Sequence, residues 1–324
     1  RRQSRRERYI LKSKKLWCYI GITFALTWLS WGLMALYSNS IFVMFNSQLI
    51  IAATMWLPMV GAFVTKLIFR KEQKINLMLR PRLRGNLKIY LLALLLPSAI
   101  MLLGGAVYFA VFPRSFDAEF TVLGQLADQY ASVYGGGSVS KNGIMAIVFA
   151  VSMTVAPFFN ALFAVGEEIG WRGFMFPTLC EKMSPARAVI VGGIIWGLWH
   201  APITAMGHNY GVGYWGYPIT GIATMCVFCC FTGAFLSWLT QRTKSVWSAA
   251  LAHGAINAVA SIPIYLHRDI NSASLLLGPA MVGLVGGIPM IVCGLICIKK
   301  LMKDNNNAAA AANAETNTDI GDSI

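Results

Sequence analysis

The chain has 324 residues, of which 56% are hydrophobic and only 12% charged, and its mean hydropathy is +0.59. Soluble domains carry about twice that charge, so composition excludes an ordinary globular domain and points to a polytopic membrane protein. The formal net charge of +14 does not imply nucleic acid as a partner, because the basic residues collect at the ends of apolar stretches, as membrane topology requires.

Residues 1–16 form a basic segment with Arg1, Arg2, Arg5, Arg6, Arg8, Lys12, Lys14 and Lys15. A spanning helix needs about 20 apolar residues. Eight stretches qualify, near 17–37, 49–69, 89–112, 144–168, 186–206, 218–240, 246–266 and 275–298. The first is long enough to span and lacks a small-residue cleavage site, so it reads as an uncleaved helix rather than a signal peptide. Pro58, Pro97, Pro157, Pro202 and Pro289 interrupt these stretches, which membrane helices tolerate when neighbours satisfy the freed backbone groups.

Loop charge sets the expected orientation. The loop after the second stretch carries Arg70, Lys71, Lys74, Arg80, Arg82, Arg84 and Lys88. The loop after the sixth carries Arg242 and Lys244, and the eighth ends on Lys299, Lys300 and Lys303. The alternate loops 38–48 and 207–217 hold no Lys or Arg, and 113–143 sets Asp117, Glu119 and Asp128 against Arg114 and Lys141. By the positive-inside rule both termini are cytoplasmic. The expected fold is therefore all-α. It is a multi-pass bundle of about eight transmembrane helices, one domain over 17–303, in a bilayer that we take to be a prokaryotic plasma membrane. The tail 304–324, Asn- and Ala-rich and then acidic, reads as disordered.

Seven cysteines give no disulfide framework. Six of them, Cys18, Cys226, Cys229, Cys230, Cys293 and Cys297, lie in apolar runs, where free cysteine packs as a small apolar residue. The Cys226/Cys229/Cys230 group lacks the second Cys or His pair that a metal site would add.

The informative residues are polar ones inside apolar sequence. Glu167 and Glu168 stand in Gly166-Glu167-Glu168-Ile169-Gly170-Trp171-Arg172-Gly173, His200 follows Trp196-Gly197-Leu198-Trp199, and His253 precedes Asn257 by four residues. Ionisable groups at membrane depth are costly and mark function by default. Singly, each has a plainer explanation: a lone histidine hydrogen-bonded across helices, or a structural Glu–Arg pair. Together they form a hydrolytic inventory.

Spacing refines this. Glu168 and Arg172 are i,i+4 and can pair; Trp196 and His200, and His253 and Asn257, share faces in the same way. Glu167 and Glu168 point about 100° apart, so they have different jobs. Ser184-Pro185 is a helix start. Glu167 lies 17 residues before Ser184 and His200 16 after it, so an antiparallel hairpin would bring the two to similar depth, roughly 24 Å from the turn. His208 and His267 fall in short loops, and Lys66 near a stretch end can snorkel.

These motifs resemble the CPBP family of CAAX-protease and bacteriocin-processing intramembrane proteases, related to the type II CAAX prenyl endopeptidase. That family carries Glu-Glu-x-x-x-Arg, aromatic-x-x-x-His and His-x-x-x-Asn, in that order. Here they are Glu167-Glu168-x-x-x-Arg172, Trp196-x-x-x-His200 and His253-x-x-x-Asn257, with Trp196 where Phe is more usual. The resemblance covers residues 144–260, and the first three stretches carry no motif.

It implies an intramembrane endopeptidase acting on a membrane-associated, prenylated or precursor peptide. A carboxylate in apolar surroundings suits a base. Glu167 with His200 is the expected water-activating pair, His253 and Asn257 the oxyanion site, and Glu168, Arg172 and Trp196 the support. No cofactor is expected. The alternative is zinc on Glu167, His200 and His253, a His₂Glu set, which Asn257 fits less well than an oxyanion role. Two other functions compete: a catalytically silent scaffold or bacteriocin self-immunity protein on the same fold, which a missing motif residue would mark, and a secondary transporter, which inverted repeats would mark. The motif positions are all present and no repeat is visible.

Overall fold

The computed structural model describes residues 2–71, 75–134, 140–269 and 275–321. Arg1, Lys74 and residues 322–324 lie outside the described residues. The regular structure among these residues is helical, with loops and turns at 75–86, 206–218 and 275–287 and a single isolated bridge between Phe116 and His267. In order, the helices are α1 Arg2–Leu36, α2 Ile41–Thr54, α3 Leu57–Ile68, α4 Leu87–Val111, α5 Thr121–Tyr134, α6 Lys141–Thr154 and α7 Ala156–Glu168. A wide π-type run, Ile169–Met175, leads into α8 Phe176–Cys180. Then come α9 Pro185–Trp199, α10 Ala201–Ala205, α11 Ile219–Thr243, α12 Val246–Val259, α13 Ile262–Tyr265 and α14 Ile288–Gly321.

This is a multi-pass integral membrane bundle. Lys14–Leu36, Ile41–Ile68, Leu87–Val111 and Ile219–Thr243 are long and apolar enough to cross a membrane. Lys141–Thr154 and Ala156–Cys180, bent by 51°, make a fifth span if counted together. Helix length and composition thus give four or five spans where eight apolar stretches stand in the sequence. Proline accounts for much of the difference. Pro157 sits just after the α6–α7 break, Pro202 just after the α9–α10 break and Pro263 at the start of α13, where a missing N–H ends a helix cheaply. Of the stretch 275–298, only the part from Ile288 is helical. α14 runs on as helix through 304–321, within the tail whose composition reads as disordered.

Two antiparallel partnerships build the centre: α7 packs along α12, and α9 packs along α11. Glycines set both distances. A Cβ on Gly254 would lie 2.4 Å from the Pro157 carbonyl oxygen. One on Gly193 would lie 2.4 Å from the Cys230 Cα, and one on Gly197 2.5 Å from the Cys226 Cα. Gly193 and Gly197 form the small-x-x-x-small spacing that lets membrane helices approach backbone to backbone. The α11–α12 corner closes on Lys244 in the left-handed region, φ 54°, and on Ser245, whose Oγ accepts from the Trp247 N–H and so caps α12.

Candidate active site

The two glutamates end α7 just before the π-type run. Such runs wind more residues into each turn than an α-helix and recur at functional sites. Gly166 and Gly170 allow the surrounding backbone in. A Cβ on Gly166 would meet the Trp56 Cα at 2.6 Å, and one on Gly170 the Tyr19 Oη at 2.5 Å. The glutamates are thereby enclosed, Glu167 being 2% exposed and Glu168 fully buried.

Their carboxylates have unlike partners. Glu167 Oε2 accepts from the indole N–H of Trp171 at 3.0 Å and from that of Trp196 at 2.7 Å. Glu168 Oε1 accepts from Arg172 Nη1 at 3.1 Å and from His253 Nδ1 at 2.8 Å. Glu168 Oε2 is buried with no hydrogen-bond partner among the described residues. The Arg172 guanidinium stacks over the Trp196 ring at 4.1 Å, and Trp196 meets the His253 ring edge to face at 5.6 Å. Trp196 therefore touches both glutamate systems.

Partner chemistry fixes both histidine orientations. An ionised carboxylate only accepts, so His253 donates from Nδ1 and presents Nε2 elsewhere. His200 donates from Nδ1 to the Trp196 carbonyl oxygen, 2.9 Å away, so its Nε2 is free of that bond. The half-buried His200 ring lies against Trp199, centroids 4.7 Å apart, and stacks on Trp31 at 6.4 Å. Asn257 lies one turn beyond His253 on α12 and is exposed.

The expected Glu168–Arg172 pair is formed, and Ser184-Pro185 does start α9, although the Ser184 side chain makes no capping bond. On α9 the residue that bonds Glu167 is Trp196, one turn before the expected His200 and on the same face. The Glu168–His253 link had no sequence signal, being 85 residues apart. Trp171 was legible in principle, at i+4 from Glu167, as were Gly166 and Gly170 at small-x-x-x-small spacing. Tyr19 and Trp31 come from the first span, which carries no motif.

The alternative zinc ligands are not gathered round one point. Glu167 is turned to two indoles and His253 to Glu168, and no three His, Cys, Asp or Glu side chains among the described residues are placed to hold a metal ion.

A helical membrane bundle enclosing two carboxylates, two imidazoles and a guanidinium is the class that the fold and site define. The resemblance drawn from the three motifs stands, for residues 142–259 match the family model described as Type II CAAX prenyl endopeptidase Rce1-like. The chain is also similar to the CAAX prenyl protease 2 of Methanococcus maripaludis, with 29% identity over 128 residues, 39% of this chain and 47% of that protein. The match thus spans about half the length of that curated relative, and the family match over 142–259 takes in every motif position.

Proposed function

We propose that the chain is an intramembrane endopeptidase that hydrolyses a peptide bond of a membrane-associated peptide. The observation that carries this is the unlike treatment of adjacent carboxylates. Glu168 is neutralised by Arg172 and His253, whereas the described hydrogen bonds to Glu167 come only from neutral indoles. A purely structural pair would have no reason to keep one negative charge without a cationic partner inside an apolar bundle.

Glu167 is the base. Two indole donors hold Oε2, which aims the carboxylate, and neither takes Oε1. Water deprotonated there attacks the substrate carbonyl carbon, and the proton passes to the leaving amine. His200, with Nε2 free of its backbone bond, assists that transfer. His253 serves the oxyanion: its Nδ1 is held on Glu168, which leaves Nε2 to face the substrate. Asn257, exposed on the next turn of α12, is the second oxyanion donor. No metal enters this scheme. The relative's name and the family description favour a prenylated, CAAX-type protein as substrate.

The test is cleavage of a prenylated peptide by purified protein in lipid. Glu167→Gln keeps shape and should abolish turnover while leaving the protein folded. Wild-type turnover by that variant would overturn the glutamate mechanism. Loss of wild-type turnover on chelation with return on zinc would replace it with a metal site. Failure of the wild type on prenylated and unprenylated membrane peptides alike would favour the silent scaffold.

A further inference from the structure

α1 carries Tyr19, Thr23, Thr27 and Trp31 at successive i,i+4 positions, and each is at most 1% exposed. They form one stripe roughly 18 Å long. The hydroxyls of Tyr19, Thr23 and Thr27 are buried without a hydrogen-bond partner among the described residues. The same holds for Trp199 Nε1 and for the hydroxyl of Thr204, whose backbone N–H donates to the His200 carbonyl. Buried polar atoms without partners are rare because each forfeits its hydration.

Threonine has a local remedy in a helix, a bond to the carbonyl four residues back. Thr154, Thr178, Thr224, Thr240 and Thr243 all use it here. Thr23 and Thr27 do not. Tyr19 and the Trp199 indole have no such option.

The stripe also connects the two halves of the site. Tyr19 meets Trp171, the Glu167 donor, edge to face at 5.7 Å, and lies within electrostatic reach of Glu167. The Tyr19 hydroxyl lies beside that of Thr23. Trp171 meets Trp199 at 5.7 Å, and Trp31 at the far end of the stripe meets both Trp199 and His200. Unpartnered polar atoms thus stand at both ends of the Trp171–Trp199 wall, with Thr23, packed against Gly61 of α3, and Thr27 between them along α1.

We propose that this seam between α1 and the motif helices is a binding site for a file of internal water molecules, bridged by Tyr19, Thr23, Thr27, Trp199 and Thr204, that supplies the site of Glu167 and His200. Water is consumed once per peptide bond cleaved, its oxygen going to the carbonyl carbon and its protons to the products, and a site enclosed in lipid needs a route for it. The supply role rests on the hydrolase reading; the water file itself does not.

Radiolytic hydroxyl-radical labelling of the full chain in nanodiscs reads bound water directly, since radicals formed from it oxidise the side chains beside it. In the wild type, Trp171 and Trp199 should label although both are buried. In Thr23→Val/Thr27→Val, which keeps shape, their labelling should fall several-fold. Thr23→Ser/Thr27→Ser should restore it. Peptide turnover should follow, with kcat falling and KM unchanged. Should the double valine variant fail to fold, Thr27→Val alone carries the same comparison. Equal labelling of Trp171 and Trp199 in wild type and valine variants would overturn the proposal, and so would slowed turnover without a change in labelling, because the hydroxyls would then serve packing alone. A fall in labelling in a protein that cleaves no peptide would keep the water file and sink the hydrolase reading.

Discussion

The surroundings of Glu167 and Glu168 differ more than their adjacency suggests. The hydrogen bonds that hold Glu167 come from uncharged indoles, those that hold Glu168 from a guanidinium and an imidazole. Uncharged donors orient a carboxylate without cancelling its charge, whereas charged donors cancel it. One residue of helical rotation separates a group kept available for chemistry from a group spent on organisation.

The sharpest way to break that contrast is to neutralise each carboxylate in turn. Glu167→Gln should lower peptide cleavage by about 10²–10⁴-fold, the usual worth of a positioned base, with little change in thermal stability. Glu168→Gln should behave oppositely. It leaves Arg172 and His253 without their anion, and breaking a buried pair from one side costs about 3–5 kcal/mol. Thermal unfolding in detergent should register that loss first, and equal melting temperatures for the two variants would remove the distinction.

Trp196→Phe probes the neutral side more gently. It removes the shorter indole bond to Glu167 and weakens the stack under Arg172. A hydrogen bond to a charged group is worth about 1.5–3 kcal/mol, so turnover should drop roughly 10–100-fold. An unchanged rate would mean that Trp171 alone can aim the carboxylate. Gly170→Ala tests the enclosure instead. Its methyl would overlap the Tyr19 hydroxyl and Pro58, and overpacking of this kind costs about 1–3 kcal/mol. Tyr19→Phe should relieve part of it, and no relief would place the strain at Pro58.

Much of this was written in local sequence. The i,i+4 spacings gave the Glu168–Arg172 pair, Ser184-Pro185 gave the start of α9, and polar residues in apolar runs gave every motif position. What escaped was non-local or conformational. Nothing near Glu168 announces His253, because a contact across 85 residues leaves no periodicity. The π-type run was invisible, since Ile169–Met175 reads as ordinary helix by composition, and so was the bond from Trp196 to Glu167. Hydropathy saw eight apolar stretches where proline makes broken and shorter helices.

A control far from this centre should show the smallest effect. Asp117, between α4 and α5, is pushed up by burial. The N–H groups of Thr121 and Glu119, the Thr121 hydroxyl and Arg268 outweigh that and hold its carboxyl below the usual range. Its folded pKa is the lower one, so its contribution is complete above the ordinary carboxylate range and fades as pH falls through the folded value. Asp117→Asn should therefore flatten the acid side of the stability profile slightly and leave turnover at neutral pH untouched.

The Glu168–Arg172 pair also has a meaning in time. Glu168 leaves the ribosome 85 residues before His253, an interval of roughly 4–17 seconds at ordinary rates of synthesis. During it α7 must enter the bilayer without its distant imidazole. Arg172 is made four residues after Glu168, on the same helical stretch, so the carboxylate carries its own counter-charge through insertion. His253 then joins a partner already neutralised.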